Sequence, residues 1–557
     1  MNWSPCFRLV ALGLFSSVAV LVPPVAASQA ADTLEGLIGQ ALGVRIENRS
    51  ATEYQAAAKI YRETLERLRD LETEDFGTDE RIDAVLLDAH LRTRLFEIEE
   101  LRLHQVVPVS YFALHTTDSL FQRPCAHGDA KIRDAVEELA TLPEILSNAR
   151  ENLKVPARVW TENAIYQAYY AHLLLRDFVP TVCTNDTALK DELIAAAKTA
   201  DEAVADFETW LRDVLLPRST RSPAWKPEEI EHYQFVHEQL HDYGVDEMIA
   251  IAEREEAVLT AEMKELAQRI HPSGDLRTVW ELMKEEAPPW EEVLPMAKRY
   301  VELASDWLRN EGSHLVSIPE TFDYGARLTT PMGRRILSFG GASYGPTVAG
   351  RISGYYVLTP LEDRLTDEEK ASRIKAYNPY WTHVISYHEW LGHNVQRAHA
   401  LVSESSPMRG AFRSSYLSQA WSFYLEKLLE DEGYFEDVLP HLEALKTRMA
   451  RRQMRMWRVQ RILTKLKMAQ GRMSFDEAVE AYIEKIGMEK TNAFIEVQRD
   501  SQNPSPPGRE IIGEMVILDL RREYERRLGE HFQLKNFHDQ LLSYGELPLP
   551  TIWRLML

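Results

Sequence analysis

The sequence is poor in cysteine and glycine, has no run of lysine and arginine, and contains no internal repeat or low-complexity tract. A formal net charge of −22 over 557 residues repels phosphate backbones and anionic lipid surfaces, and no basic cluster overrides that repulsion locally. We therefore expect no nucleic-acid partner. The composition, 45% hydrophobic and 27% charged, is that of a globular protein that forms its own core.

The N-terminus has the layout of an export signal. Arg8 is its one basic residue, an apolar run covers residues 9–22, and the small residues Ala27, Ser28 and Ala30 offer a cleavage site for signal peptidase. The apolar run is shorter than the ~20 residues that span a bilayer. We therefore predict that residues 1–30 are a cleaved signal peptide and that the mature protein is periplasmic or secreted, without membrane attachment. Lipidation is not indicated, because no lipoprotein-type sequence precedes Cys6.

Cleavage of that signal leaves two cysteines, Cys125 and Cys183. An exported protein can join such a pair as a disulfide between helices. The alternative is a pair of buried thiols, and the sequence alone leaves both open.

Most of the mature chain has the periodicity of amphipathic helices. Apolar residues recur at three- and four-residue spacings, with Glu, Lys and Arg between them, in segments such as 80–103, 191–216 and 247–270. Much of the scarce glycine collects instead in "FGGASYGPTVAGRISGYYVLTP", residues 339–360, together with tyrosines and β-branched residues. This composition predicts a small island of strands and loops.

We predict a mostly α fold, with one large helical domain over residues 31–557, because no clear interdomain linker interrupts the chain. In this interpretation a deep cleft crosses the domain and a small β-sheet lies at its rim. The N-terminal helical part covers about residues 31–310, and the part that carries the chemical motifs covers about residues 311–557.

The stretch "SYHEWLGHNVQRAHA", residues 386–400, carries the clearest chemical signal. His388 and Glu389 are adjacent, and His393 follows five positions after His388. In a regular α-helix residues five apart lie about 140° apart, so the two imidazoles would not face one metal. Gly392 permits either a single wide turn or an early helix end. With that adjustment both histidines would bind one zinc ion, and Glu389 would take a proton from a zinc-bound water.

Three segments resemble a bacterial protein family. The segments "HEWLGHNVQ" (388–396), "SQAWSFYLE" (418–426) and "FHDQLLSYGELPLP" (537–550) are similar to the patterns HExxPGHHxQ, EGWxxYxE and FHDxxLxxGxLPL of the domain of unknown function 885 family. The likeness runs from about Leu37 to the C-terminus. The metal motif by itself also resembles the HExxGH signature of dipeptidyl peptidase III. The resemblance implies a zinc metallopeptidase, similar in fold to helical gluzincin-type metallopeptidases.

The chain departs from the family pattern where the third metal ligand is expected. Gln419 stands at the position of the family's glutamate, and Asn394 replaces its second adjacent histidine. A neutral amide is a poorer zinc ligand than a carboxylate. Glu426 is retained two turns later on the same helical face, so either Gln419 or Glu426 would complete the metal shell. The alternative for Glu426 is a structural acid paired with Arg413 or Arg451.

Amide hydrolysis also needs a donor for the developing oxyanion. Tyr355, Tyr356 and His538 are candidates, and the alternative for each is a purely structural role. His383 and His399 are predicted to be surface or supporting residues. The strand at 350–358 is a candidate for pairing with an extended peptide through its edge.

The predicted function is an exported zinc-dependent hydrolase of peptides or small amide compounds. One zinc ion would be held by His388, His393 and either Gln419 or Glu426, with Glu389 as the general base. The rival hypothesis is a non-catalytic relative that uses the same cleft to bind a peptide or a partner protein.

The leader generates the first testable prediction. We expect the mature N-terminus to begin between about Ser28 and Asp32, because signal peptidase cuts after small residues that follow the apolar run. N-terminal sequencing of the exported protein measures this directly. Recovery of an intact Met1 would contradict it.

Overall fold

The computed structural model describes residues 33–334, 337–344, 352–362, 365–403 and 406–557. The predicted signal peptide and part of the glycine-rich stretch lie outside these residues. The predicted fold class is confirmed, because the described chain is mainly helical and contains one three-stranded sheet. None of the described helices is both long enough and apolar enough to cross a bilayer.

The chain divides into two compact units. Among the described residues, 33–223, 329–334 and 337–338 belong to the first unit, and 224–328, 339–344, 352–362, 365–403 and 406–557 belong to the second. This division lies well before residue 310, where the sequence suggested a change of organisation. The physical reason is that the long helices between residues 245 and 309 pack against helices of the motif-bearing part.

The first unit is a set of helices around an apolar core. Its helices are α1 (Leu34–Leu42), α2 (Ala51–Arg69), α3 (Thr78–Leu95), α4 (Leu103–Val106), α5 (His115–Gln122), α6 (Asp129–Asn152), α7 (Arg158–Leu173) and α8 (Thr187–Trp210). Helices α6 and α8 pack along each other and bury residues such as Leu139, Leu193 and Phe207. Short π-helical or 3-10 segments also belong to this unit and lie at Phe96–Glu100, Pro108–Tyr111, Leu174–Phe178, Val179–Thr181, Leu211–Leu215, Leu216–Arg218 and Pro331–Gly333.

A disulfide bond links Cys125 and Cys183, whose Cα atoms are 4.9 Å apart. It joins the segment after α5 to the segment before α8, so it closes a loop that contains α6 and α7. Of the two alternatives that the sequence left open, the structure has the bonded pair.

The second unit carries the motifs. Its helices are α9 (Pro227–His232), α10 (Val245–Ile270), α11 (Leu276–Glu285), α12 (Trp290–Arg309), α13 (Asp367–Ile374), α14 (Pro379–Tyr387), α15 (Val395–Ser403), α16 (Pro407–Ala411), α17 (Tyr416–Asp431), α18 (Tyr434–Val438), α19 (His441–Ala469), α20 (Phe475–Ile486), α21 (Lys490–Gln502), α22 (Arg509–Leu528), α23 (Leu534–Ser543) and α24 (Leu549–Met556). Tyr233–His237 and His388–Asn394 are π-helical, and Lys375–Tyr377 and Gly529–His531 are 3-10 turns.

Helix α19 is the longest of the described helices, with 29 residues. It packs against α10, α14, α20 and α21, and it also contacts α22. Because neighbours surround it, α19 buries polar as well as apolar residues, among them Arg451, Arg458, Arg461 and Lys465. Buried cations of this kind are costly unless carboxylates or carbonyl groups surround them, and that requirement shapes the site described below.

The sheet contains β1 (Thr321–Leu328), β2 (Gly340–Tyr344) and β3 (Ile352–Leu358) in the order β1-β3-β2. Strand β3 runs parallel to β1 and antiparallel to β2. The small sheet that the sequence predicted is therefore present. The suggestion that the strand at 350–358 binds a peptide through its edge is wrong for its described residues, 352–358, because β3 is the central strand and pairs with β1 on one side and β2 on the other.

Candidate metal centre

The HEWLGHN segment directly continues helix α14. Asn378 caps α14 by accepting a hydrogen bond from the Trp381 backbone, and Pro379 occupies the first turn. Residues His388–Asn394 then form a π-helix before α15 begins at Val395. The wide turn that Gly392 was predicted to permit is thus observed. A π-helix bonds residue i to residue i+5, so two histidines five apart lie on the same face.

Gly392 is required here because α17 lies directly against it. A Cβ atom at this position would come within 2.6 Å of the Ser422 Cβ and 2.8 Å of its Cα. Neither distance is compatible with an unshifted backbone. The absence of a side chain therefore allows α17 to pack on the π-helical turn, and this packing brings residues of α17 to the two histidines.

The two imidazoles and one carboxylate form a compact cluster. His388 and His393 have ring centroids 4.9 Å apart, and one donor atom from each of His388, Glu389 and His393 lies within 4.8 Å of the others. The histidines are buried, whereas Glu389 keeps some exposed surface. Such a cluster of nitrogen and oxygen donors has the composition of a zinc site.

Both histidines are held through Nδ1 by residues of α17. The Nδ1 of His388 is 2.7 Å from Oε1 of Glu426, and the Nδ1 of His393 is 3.0 Å from the Ser418 hydroxyl. Imidazoles that bind metals are commonly oriented in this way, with one nitrogen hydrogen-bonded and the other directed at the ion. Nε2 of each ring is therefore the nitrogen left for a metal.

The electrostatics of the cluster favour neutral imidazoles. Burial lowers the pKa of His388 and of His393 well below the ordinary value, and the positive charge of Arg458 lowers both further. Neutral imidazole is the form that binds metal ions. Burial also raises the pKa of Glu389 to about 7, although Arg458 and Arg461 oppose the rise.

Glu426, predicted as one of two possible third ligands, is fully buried behind His388. One of its oxygens accepts from His388 and the other has no hydrogen-bond partner among the described residues. Burial raises the pKa of Glu426 to about 7. It is not paired with either arginine named as the alternative, because Arg413 contacts Glu546 and Arg451 contacts Glu430.

Gln419, the other possible third ligand, is a half-buried residue of α17. It follows Ser418 directly, so it lies on the part of α17 that contacts His393, whereas Glu426 lies two turns away beside His388. The two candidates therefore belong to different ends of the cluster.

The predicted oxyanion donors occupy different surroundings. Tyr356 is fully buried, interacts electrostatically with Glu389, and has a hydroxyl without a hydrogen-bond partner among the described residues. The Tyr355 ring faces Arg327 instead, with the guanidinium 3.4 Å from the ring centroid. His538 has both nitrogens engaged, by the Tyr424 hydroxyl at 2.9 Å and the Leu315 carbonyl at 2.8 Å. Of the three, Tyr356 is thus the one that the structure brings to Glu389.

The other two histidines of the motif region bind structural partners. His383 contacts the Tyr434 hydroxyl at 2.7 Å and stacks on Tyr300. His399 bonds the Ser317 carbonyl at 2.8 Å.

Several residues near the cluster were not selected from the sequence as site residues. Ser418 holds His393, and Tyr344 of β2 interacts with both Ser418 and Glu389. Arg458 acts electrostatically on Glu389 and Glu426. The sequence offers no signal that separates Arg458 from Arg451, Arg455 and Arg461, because all four lie on the same helical face.

Asn394 fastens the π-helical turn to the sheet. Its amide nitrogen donates to the Glu389 carbonyl at 3.0 Å and to the Tyr355 carbonyl at 3.4 Å. Gly354 of β3 makes room for it, since a Cβ atom there would come within 2.5 Å of the Asn394 Cγ. Asn394, which stands where the family pattern has its second histidine, therefore links the turn to β3.

Comparisons with other proteins give a family and a fold. The profile of DUF885, a family described as bacterial protein of unknown function, matches residues 32–556, and no curated protein matches the chain significantly. Among solved structures, the chain is similar to a candidate lipoprotein of unknown function from Shewanella oneidensis, with 18% identity, a TM-score of 0.68, and coverage of 94% of this chain and 96% of that one. A candidate lipoprotein from Colwellia psychrerythraea is also similar, with 17% identity, a TM-score of 0.69 and 95% of each chain covered. At these identities the likeness shows a shared fold.

The contact at Gly392 generates the second prediction. We expect Gly392→Ala to lower the free energy of unfolding by about 1–3 kcal/mol, the usual cost of overpacking a close contact. The measurement is thermal or urea unfolding of the purified protein. Gly39→Ala is the matched control, because Gly39 lies within α1 and a Cβ there meets nothing within 4 Å. Equal stability of the two variants would contradict the proposed need for glycine at 392.

Proposed function

We propose that this chain, which belongs to the DUF885 family of bacterial proteins, is an exported zinc-dependent hydrolase that cleaves amide bonds in peptides or small amide compounds. The observation that carries the proposal is the π-helical turn at His388–Asn394. It places two imidazoles and the Glu389 carboxylate within 4.8 Å of one another. A general base beside two neutral imidazoles is the arrangement that metal-assisted hydrolysis needs.

The residues present fit one zinc ion. His388 and His393 offer neutral Nε2 atoms whose orientation is fixed from behind by Glu426 and Ser418. We assign Glu426 to this supporting role because its Oε1 atom already accepts a hydrogen bond from Nδ1 of His388. Gln419 is then the residue of α17 left to complete the shell through its amide oxygen, which is a weak donor for zinc.

When bound, zinc would supply Lewis-acid polarisation of the scissile carbonyl and acidify the attacking water. Glu389 takes the proton from that water as the oxygen of the water bonds to the carbonyl carbon of the scissile amide. The same carboxyl group then gives the proton to the amide nitrogen as the C–N bond breaks, so the two products are a carboxylic acid and an amine. We assign Tyr356 as the donor of a hydrogen bond to the developing oxyanion, and the lack of a partner for its buried hydroxyl among the described residues supports this role.

Export of the protein is supported by three observations. The sequence has the layout of a signal peptide before residue 31, and Cys125 and Cys183 form a disulfide. Disulfides persist in oxidising compartments. Both similar solved structures are of candidate lipoproteins. We therefore propose a periplasmic or secreted location.

A non-catalytic binding protein is the second candidate function, and Gln419 is the observation that favours it. With an amide in place of a carboxylate, the shell has one negative charge fewer and holds zinc less tightly. A scaffold that lost its metal would still present the same surfaces to a peptide.

The third prediction tests the general base. We expect Glu389→Gln to retain zinc, because Glu389 is not a proposed ligand, and to lower turnover by at least ~10²-fold, the low end for loss of a general base. His388→Ala should lose both the metal and the activity. Elemental analysis gives zinc per chain, and a broad peptide panel followed by mass spectrometry gives turnover. His531→Ala removes an exposed imidazole and should change neither quantity.

The fourth prediction separates the two candidate functions. If the wild type holds a weakened zinc site, Gln419→Glu should bind zinc more tightly and hydrolyse peptides faster, since a carboxylate neutralises charge that an amide does not. Zinc affinity is measured by competition with a chelator. The opposite outcome is a wild type that binds no zinc and cleaves no peptide, while Gln419→Glu alone binds the metal. That result would support the non-catalytic binding protein and contradict the hydrolase.

A further inference from the structure

Helix α19 carries six arginines, and five of them have a carboxylate partner. Each of these five has a carboxylate oxygen at 2.8 Å or less. The partners are Glu436 for Arg448, Glu430 for Arg451 and Arg452, Glu514 for Arg455, and Glu510 for Arg461. Arg458 is the exception, since no carboxylate of the described residues lies within salt-bridge distance of it.

Arg458 is nevertheless almost completely buried, with 6% of its surface exposed. Its Nη1 makes one long hydrogen bond, 3.5 Å, to the Met454 carbonyl of its own helix. Its guanidinium lies 4.4 Å from the centroid of the Trp457 ring, and its Nε has no partner among the described residues. A guanidinium has five N–H donors, so most of the donors of Arg458 have no hydrogen-bond partner among the described residues.

The guanidinium of Arg458 lies within electrostatic range of the histidine cluster. Arg458 interacts electrostatically with Glu389 and Glu426 and also with His388 and His393. Neither carboxylate forms a salt bridge with it among the described residues: Glu426 bonds His388 through Oε1, and Glu389 handles the proton of the attacking water in the proposed mechanism. A buried cation without a bonded anion, beside a hydrolytic site, is complementary to a negative group on the substrate.

We propose that Arg458 binds a carboxylate of the substrate close to the bond that is cleaved. This inference rests on the proposed function and names its substrate class: peptides or small amides that carry a carboxylate near the scissile bond. Two sources supply that group, the free C-terminal carboxylate of a peptide and an acidic side chain. A planar guanidinium binds a carboxylate through two parallel hydrogen bonds, which also fixes the orientation of the substrate.

The kinetic test uses matched peptides and the zinc-loaded mature protein. Tetra-alanine is compared with its C-terminal amide, and a capped peptide containing Asp is compared with the same peptide containing Asn. We expect wild type to prefer the charged member of one pair, and that pair identifies the source of the carboxylate. Arg458→Gln should lower kcat/KM for the charged member on the order of 10- to 100-fold, with little change for the neutral member.

Two further variants control this experiment. Arg458→Lys keeps the charge but loses the two-pronged geometry, so it should retain part of the preference, and it serves as the test if Arg458→Gln does not fold. Arg448→Gln removes a partly exposed arginine of the same helix and should leave the preference unchanged. Equal losses for charged and neutral peptides in the Arg458 variants would overturn the inference in favour of a structural or oxyanion role.

A binding measurement separates failure of this inference from failure of the proposed function. Calorimetric titration of Glu389→Gln with tetra-alanine and with its amide, and with the Asp and Asn peptides, requires no turnover. Tighter binding of a charged peptide that is abolished by adding Arg458→Gln supports the inference even if the wild type hydrolyses nothing. No preference for either charged peptide, or a preference that survives Arg458→Gln, would overturn it.

Discussion

The contact between α17 and the π-helical turn is the constraint on which the site depends. Gly392 lets the backbone of α17 approach so closely that Ser422 fills the space of a missing side chain. At this separation Ser418 reaches one histidine and Glu426 reaches the other. The wide turn and the neighbouring helix are thus two parts of one packing arrangement, in which the turn aligns the imidazoles and the helix fixes their rotation.

Around this contact the second unit holds an unusual amount of buried charge. Arginines of α19 meet glutamates of α17, α21 and α22, and most of them pair directly. Paired buried ions orient their elements more than they stabilise them, because desolvation offsets much of the attraction. The incomplete part of this network coincides with the histidine cluster. Arg458, the α19 arginine without a salt bridge among the described residues, interacts electrostatically with both histidines.

The sequence predicted the local features and missed the tertiary ones. The helical periodicity and the five-residue spacing with Gly392 are encoded within a few residues, so the fold class followed from them, and the wide turn was one of the two alternatives that they left open. The positions of Glu426 and His538 did not, because their side chains meet partners 38 and 223 residues away in the chain. Residue type showed that both can bind or donate, but only packing decides which neighbour occupies each nitrogen or oxygen. Arg458 could not be selected from the sequence either. That it lacks a salt bridge among the described residues becomes visible only when the structure shows the other arginines of α19 paired with carboxylates.

The π-helical turn also constrains the length of this segment. Each residue of an α-helix rotates the chain by about 100°, so removing one residue between His388 and His393 would give a four-residue spacing that suits an ordinary helix. The two histidines would still share one helical face after such a deletion, but α15 would rotate as a body. Val395, Ala398 and Ala400 would leave their buried positions, and His399 would lose the Ser317 carbonyl. An insertion or deletion in this segment therefore changes the packing of α15 against α23 as well as the spacing of the two histidines.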